Sequence, residues 1–400
     1  MISVEEARNI VKEHTIDLGT ESINLTQSIG RTLSREVLAD RDFPPFDRIT
    51  MDGIAFCFDS YQKGQREFLV ESLSLAGEPV KQLSSDKNCI EIMTGSVLAE
   101  GCDAMVRYED LEFIENEKKK YARVLDEHVF RWKNVHRQGS DSKKGAVLVR
   151  PGVKINSALI SILATVGLNK IVVRKLPQIA IISTGDELVD INKEPEAHQI
   201  RKSNTITIKA ELNKLGIRSE LFHLADRKEL IKDKLKKILT DFDAIILSGG
   251  VSKGKVDYVP DALAELGVKQ LFHRVAQRPG KPFWFGVFES NKPIFAFPGN
   301  PISTFTCFKV YFMDWLASCK FLTRKSMKAT LMQDFSFKPN LGYFLQVKEG
   351  LGDDAKILAF PQTGNGSGDL ANLSKSDAII FLPAGSDQYK KGGAYEIFRY

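Results

Sequence analysis

The feature that most constrains this chain is an alternation of strands and helices that begins after Pro177. The apolar stretch Ile179 to Ile182 reads as a strand buried on both faces, ending in the polar sequence Ser183-Thr184-Gly185-Asp186-Glu187. A helix follows over Ser203 to Leu215, with Ile208, Leu212 and Leu215 on one face and Gly216 as its stop. Next come a strand over Arg218 to Leu224 and an amphipathic helix over Arg227 to Leu239. A second buried strand, Ala244 to Leu247, opens into Ser248-Gly249-Gly250-Val251-Ser252-Lys253-Gly254-Lys255. A helix over Tyr258 to Leu266 and strands near Gln270 to Val275, Phe283 to Phe288 and Ile294 to Phe297 lead to Pro298-Gly299-Asn300-Pro301, and a long apolar helix covers Ser303 to Ser318. This predicts an α/β domain with a mainly parallel sheet covered on both faces.

In such a sheet ligands bind beyond the carboxyl ends of the strands, so the three polar, glycine-bearing strand ends should share one pocket. The second of them matches the phosphate loop GxxxxGK[ST] through Gly249, Gly254 and Lys255 but carries Val256 where a magnesium-ligating hydroxyl belongs, which argues against a P-loop nucleotidase. The anion-cradling logic of successive glycine N–H groups survives, with Ser248 and Ser252 as further donors. Asp186, Glu187, Asp226 and Asp257 are acids near these strand ends, and Arg278 and Lys281 flank Pro279-Gly280. Carboxylates beside phosphates suit magnesium, which takes one or two of them together with phosphate oxygens. Lys253, Lys255, Arg278 and Lys281 are expected to concentrate positive charge around this one pocket.

The rest of the chain is built differently. Ser3 to Glu13 reads as a helix capped by Ser3 with Glu6 three residues on. Short β-rich runs fill Asp40 to Arg150, and short strands between glycine-rich turns return after Met327. Two adjacent prolines, Pro44 and Pro45, precede Met51-Asp52-Gly53, which presents a carboxylate at a tight turn before a strand. Thr94-Gly95, Glu109-Asp110 and Arg137-Gln138-Gly139-Ser140-Asp141 offer similar polar turns, while the run Glu115 to Lys120 reads as a solvated hairpin turn.

A length of 400 residues predicts two or three domains, at roughly 150 residues each. With 56 basic against 51 acidic side chains, the net charge of +5 argues for no nucleic-acid partner. No apolar run approaches the ~20 residues of a membrane helix, and the first residues carry Glu5 and Glu6 where a secretory signal needs basic ones. Five scattered cysteines without a CxxC pair exclude a disulfide framework or cysteine zinc site. The expectation is a soluble, cytoplasmic protein without membrane contact. The histidines lack HxH or HExxH spacing, and neither GxSxG with a plausible triad nor GxGxxG is present, so zinc, serine-hydrolase and dehydrogenase chemistry fall away.

Taken in order, the motifs resemble the MoeA/gephyrin type of molybdopterin molybdotransferases along nearly the whole chain. The resemblance runs through Pro44-Pro45-Phe46-Asp47, Thr50-Met51-Asp52-Gly53, Met93-Thr94-Gly95-Ser96, Gly101-Cys102-Asp103-Ala104, Glu109-Asp110 and Arg137 to Asp141. It continues through Ser183 to Leu188, Ser203-Asn204, Ser248 to Ser252, Asp257-Tyr258, Pro279-Gly280-Lys281-Pro282 and Pro298 to Pro301. It implies an elongated N-terminal part formed by residues 1–40 and 146–176, an inserted β-rich domain at 41–145, a molybdopterin-binding α/β domain at 177–322 and a small C-terminal β-domain at 323–400. It also implies a homodimer whose cleft joins the central domain of one subunit to the β-rich region of the other, with other proteins of molybdenum cofactor synthesis as further partners. The implied reaction inserts molybdate into adenylylated molybdopterin and releases AMP, with Mg2+ as cofactor; a non-catalytic scaffold of the same fold is the alternative. By motif position the resemblance carries catalytic roles to Asp52, Thr94, Asp141, Glu187, Asp226 and Asp257, with Glu187 and Asp257 at the metal. Substrate binding falls to Ser248, Gly249, Gly250, Ser252, Arg278 and Lys281, and Pro298 and Pro301 shape the cleft wall. Three departures stand out: Lys253 where an apolar residue is common, Arg278 where the family usually has lysine, and Arg48-Ile49 where small polar residues are frequent.

Overall fold

A computed structural model of the chain describes residues 1–116, 118–225, 228–250, 258–289, 291–322 and 325–400. It divides into two compact units, one of Met1–Ser34, Gly152–Ser157 and Lys170–Tyr400, the other of Arg35–Pro151 and Ala158–Asn169.

The first unit opens with α1 (Val4–Glu13), held by the predicted capping box: the Glu6 N–H donates to the Ser3 hydroxyl at 3.1 Å and the Ser3 N–H to the Glu6 carboxylate at 2.7 Å. The second unit is built on a six-stranded sheet: β1 (Gly53–Phe56), β2 (Glu67–Ser74), β3 (Asn88–Ile92), β4 (Ala104–Arg107), β5 (Leu111–Asn116) and β6 (Lys119–Val124). Its spatial order is β4-β1-β3-β2-β6-β5, and β5 and β6 form the hairpin read from the Glu115 to Lys120 charge run. Gly53 is demanded by the neighbouring strand rather than by a turn. A Cβ there would lie on the Val106 carbonyl and 2.7 Å from Arg107 Cα, so only glycine lets β1 and β4 pair.

The flanking segments pair with each other: Thr20–Asn24 runs antiparallel to Lys170–Arg174 in the first unit, and Val37–Leu38 to Val147–Val149 in the second. The apolar helix Ser157–Thr165 buries only Leu163 fully.

The central sheet of the first unit takes β7 (Ile179–Thr184), β8 (Ser219–Leu224), β9 (Ala244–Ser248), β10 (Lys269–His273), β11 (Trp284–Phe288) and β12 (Lys292–Phe297), in the order β8-β7-β9-β12-β11-β10. The helices α2 (Ser203–Lys214), α3 (Lys228–Asp241) and α4 (Val259–Glu265) alternate with its first strands. The four strands from β8 to β12 are parallel, as expected, but β12–β11 and β11–β10 are antiparallel. The expectation of a mainly parallel sheet therefore needs correction at this edge. Only residues 289–291 separate β11 from β12, whereas a parallel crossover needs a dozen or more. Positive φ at Glu289 and Asn291 closes this hairpin instead.

Alternate residues of the central strands enter two cores. Ile179, Ile181, Ile246 and Phe295 meet α1 through Val4, Ala7 and Val11, together with Phe308, Phe312 and Trp315. Ala180, Ile182, Ile245 and Leu247 meet Ile231, Leu235 and Ile238 of α3 and Leu263 of α4. Burial on both faces explains why these strands read as unbroken apolar runs. The long helix runs as α5 (Pro301–Cys307), a π-helical turn over Phe308–Phe312 and α6 (Met313–Ser318). Arg8 of α1 donates to Asp314 of α6 at 2.8 Å and to Glu396 near the end of the chain at 2.6 Å.

The last domain is β-rich as expected, and its pairing closes. Gly342–Leu351, Ile357–Pro361, Lys328–Leu331, Ala394–Arg399 and Ala378–Leu382 join in sequence and return to Gly342–Leu351, forming a five-stranded barrel. Among the described residues no helix is long and apolar enough to cross a membrane.

Candidate active site

The ends of β7, β9 and β12 converge on a cavity of about 490 Å³ lined by Thr184, Gly185, Glu187, Ser248 to Gly250 and Pro298 to Pro301. The three strand ends thus share one pocket, as their sequences suggested. Parallel strands in register place the three turns on one edge, and positive φ at Gly185, Gly249 and Gly250 lets the chain leave β7 and β9 sharply. At Gly250 a Cβ would stand 2.7 Å from Thr184 Oγ1, so glycine also permits the close approach of the first two turns.

One side chain ties the turns after β9 and β12 together. Asn204, on the first turn of α2, directs its amide nitrogen at Ser248 Oγ (2.9 Å), the Gly299 carbonyl (2.7 Å) and Thr304 Oγ1 (3.2 Å). The Thr304 hydroxyl in turn donates to the Pro298 carbonyl. Asn204 was noted in the sequence only as part of a motif. The signal was present: with Ile208 and Leu212 it forms an i, i+4, i+8 row, so a polar residue stands on the inward stripe of an amphipathic helix.

Not every predicted binder meets the cavity. The Gly249 N–H donates to the Phe297 carbonyl at 3.0 Å, extending the β9–β12 ladder, so it is committed to the sheet rather than to an anion. Lys281 and Arg278 are not among the cavity's lining residues; Arg278 lines a smaller neighbouring cavity of about 80 Å³ with Tyr343 and Ser367. The reason is local, since Gln277–Arg278 pairs with Gly342–Tyr343 of the barrel. Among the described residues the cations lining the main cavity are Arg201 and Lys202, to which no sequence motif pointed. Asp226, Asp257, Ser252, Lys253 and Lys255 lie outside the described residues. Glu187 is exposed on the cavity wall, its carboxylate against Gly185. A carboxylate on the wall of a cavity this size leaves room for magnesium, which keeps most of its ligands from water and substrate. No group of three or more His, Cys, Asp or Glu able to hold a metal occurs among the described residues.

The other described candidates lie in the second unit. Asp52 accepts from both the N–H and the hydroxyl of Thr94, each at 2.7 Å. These bonds, the backbone one first, hold the Asp52 carboxyl below the usual carboxylate range against a small opposing desolvation. Asp141 faces His136 Nε2 at 2.8 Å, and His136 Nδ1 lies 3.2 Å from Arg48, so Arg48 joins a polar chain leading to Asp141 while Ile49 is buried in a hydrophobic cluster. A depressed carboxyl pKa means that the ionised form persists as pH falls below the ordinary value and is lost only through the lower one. Thr94→Val keeps the N–H donor and removes the hydroxyl, so the Asp52 titration seen by carboxyl NMR should move up part of the way to the ordinary range. An unmoved midpoint would contradict this account.

Residues 2–167 match the MoeA N-terminal region (domain I and II), 180–318 the probable molybdopterin binding domain, and 328–397 the MoeA C-terminal region (domain IV). A molybdopterin molybdenumtransferase of Synechocystis is 37% identical over 401 residues, covering 100% of both chains. The chain belongs to the MoeA family. A second MoeA-type relative, the molybdopterin molybdenumtransferase of Staphylococcus epidermidis, is 33% identical and covers 99% of this chain and 95% of its own. Among solved structures, the molybdopterin biosynthesis MoeA protein of Pyrococcus horikoshii superposes with a TM-score of 0.83 at 28% identity, over 100% of this chain and 99% of that one. The three-part MoeA architecture accordingly holds for this chain, and the strand-end cavity falls inside the segment matched to the molybdopterin binding domain.

Proposed function

We propose that the chain is a molybdopterin molybdotransferase of molybdenum cofactor biosynthesis, which inserts molybdate into adenylylated molybdopterin and releases AMP. The observation that carries the reading is the 490 Å³ cavity at the ends of β7, β9 and β12, seated in a chain matched end to end by proteins named molybdopterin molybdenumtransferase. The cavity suits an anionic substrate: Arg201 and Lys202 line it as cations, and Thr184 and Ser248 bring hydroxyls to its edge. Fixed donors aimed at developing charge lower a barrier without reorganising when the charge moves. Magnesium, held by Glu187 together with Asp257 by its motif position, would offset charge on the phosphoanhydride as it breaks. Asp52, Thr94 and Asp141 are proposed to act on the same substrate from the partner subunit of a homodimer. The exposed apolar face of Ser157–Thr165, with Ile162 36% exposed, supports such a second copy. A monomer in sedimentation velocity would remove the partner from the scheme.

The test is direct. The purified chain with adenylylated molybdopterin, molybdate and magnesium should release AMP, and Glu187→Ala should slow release by about a hundredfold, the order expected when a group acting on developing charge is removed. Ligand binding without AMP release would favour the scaffold, and an unimpaired Glu187→Ala enzyme would remove Glu187 from the site.

A further inference from the structure

The polar line from Arg48 through His136 to Asp141 is displayed by a short ladder of the second unit. Arg48–Ile49 pairs antiparallel with Val135–His136, which sets His136 opposite Arg48 and Val135 opposite Ile49. Opposite residues of such a pair share a face, and successive ones alternate. Ile49 and Val135 enter an apolar cluster, so Arg48 and His136 are turned together to the other side. Arg137, next in the chain, does not compete with Arg48, because its guanidinium stacks over Trp132 and faces Asp47 at 3.9 Å.

The two contacts of the imidazole agree on where its proton sits. A guanidinium only donates, so His136 Nδ1, 3.2 Å from Arg48, takes part through its lone pair. An ionised carboxylate only accepts, so Nε2, 2.8 Å from Asp141 Oδ1, carries the hydrogen. Since the bond made by one ring nitrogen decides which of the two is protonated, Arg48 selects the tautomer that Asp141 requires. The backbone of the Asp141 turn is fixed as well. Its N–H donates to the Phe43 carbonyl at 2.9 Å, the Gly139 N–H to the Pro44 carbonyl at 2.9 Å and the Gln138 N–H to Asp47 Oδ1 at 2.7 Å. Ser140 Oγ also reaches Asp141 Oδ1, at 3.3 Å, and among the described residues Oδ2 takes no hydrogen bond.

We propose that His136 is a positioning residue for Asp141: held by Arg48 as the tautomer protonated on Nε2, it ties down one carboxylate oxygen and leaves the other set for the substrate. A neutral donor orients the carboxylate without cancelling its charge, as a cation in the same place would. The inference rests on the reading, made above, that Asp141 acts on the substrate.

Two measurements on the full chain test it. Nitrogen NMR of isotope-labelled histidine, with His136 assigned by the signals that His136→Gln removes, should show Nε2 protonated and Nδ1 bare at about pH 8, above the ordinary histidine range. The second measurement is AMP release by His136→Ala and by His136→Gln, whose amide nitrogen can donate where Nε2–H did. Both His136 and Asp141 are partly or fully exposed, and thermal melts confirm that the variants remain folded. In His136→Ala kcat should fall about tenfold or more with KM within about twofold, and His136→Gln should restore kcat to within about threefold. Introduced into an Asp141→Ala chain, His136→Ala should add no further loss, because a residue that acts through another has nothing left to act on. Equal losses in the alanine and glutamine variants, an unimpaired His136→Ala enzyme, or a further loss beside Asp141→Ala would overturn the positioning role, and a proton on Nδ1 would overturn it at its origin. An Nε2-protonated ring in a chain that releases no AMP would overturn the function proposed above and leave the Arg48–His136–Asp141 alignment standing.

Discussion

Gly53→Ala is expected to cost about 3–5 kcal/mol of stability, at the upper end of what single substitutions do, because it forces a side chain between two backbones. β1 is an inner strand, paired antiparallel with both β3 and β4, and the added methyl would lie on the Val106 carbonyl and 2.7 Å from Arg107 Cα. Neither atom belongs to a flexible side-chain end, so the pairing itself must open. Opening it also frees Asp52, whose carbonyl accepts from the Tyr108 N–H at 3.0 Å. Urea denaturation followed by hydrogen exchange at Ile54 to Phe56 reads the effect; a loss below about 1 kcal/mol would show that the strands separate easily, contrary to this account.

The second large effect is expected at Asn204, where alanine removes the donor that joins Ser248, Gly299 and Thr304. The stability cost should stay near 1–3 kcal/mol, about that of leaving buried acceptors unpaired. Function should suffer more: small misplacement of positioned groups costs about a hundredfold in rate, and the turns after β9 and β12 are both held by this amide. The expected result is therefore kcat/KM for AMP release reduced about a hundredfold in a chain that still melts cooperatively. An Asn204→Ala protein with reduced stability and unaltered kcat/KM would leave Asn204 a purely structural residue.

The sequence made some parts of this molecule legible and hid others for identifiable reasons. Ile179 to Ile182 and Ala244 to Leu247 are buried on both faces, so composition alone marked them as strands, and polar glycine-bearing ends marked where the backbone turns toward a ligand. The antiparallel pairing of β11 with β12 was obscured because β11 is buried like the parallel strands; the brevity of the 289–291 connection was the available clue. Which cations face the pocket was beyond local reading. Arg278 follows the barrel strand it pairs with, whereas Arg201 and Lys202 reach the cavity from the entry to α2. A glycine-rich sequence likewise announced donors without saying which were already taken, and Phe297 takes that of Gly249.

The two ends of the chain meet through Arg8, which holds Asp314 and Glu396 at once. α1 precedes by some three hundred residues the Phe308, Phe312 and Trp315 that complete its apolar face, and by still more the Glu396 carboxylate that completes the pairing of its guanidinium. Its capping box lets it turn helical early, but the surface it covers does not exist until some three hundred further residues have been added. Contacts of such separation slow folding, and until they form, Val4, Ala7 and Val11 are an uncovered apolar stripe. Folding of the first unit therefore does not run from front to back: α1 docks only once the helix it packs against has been made.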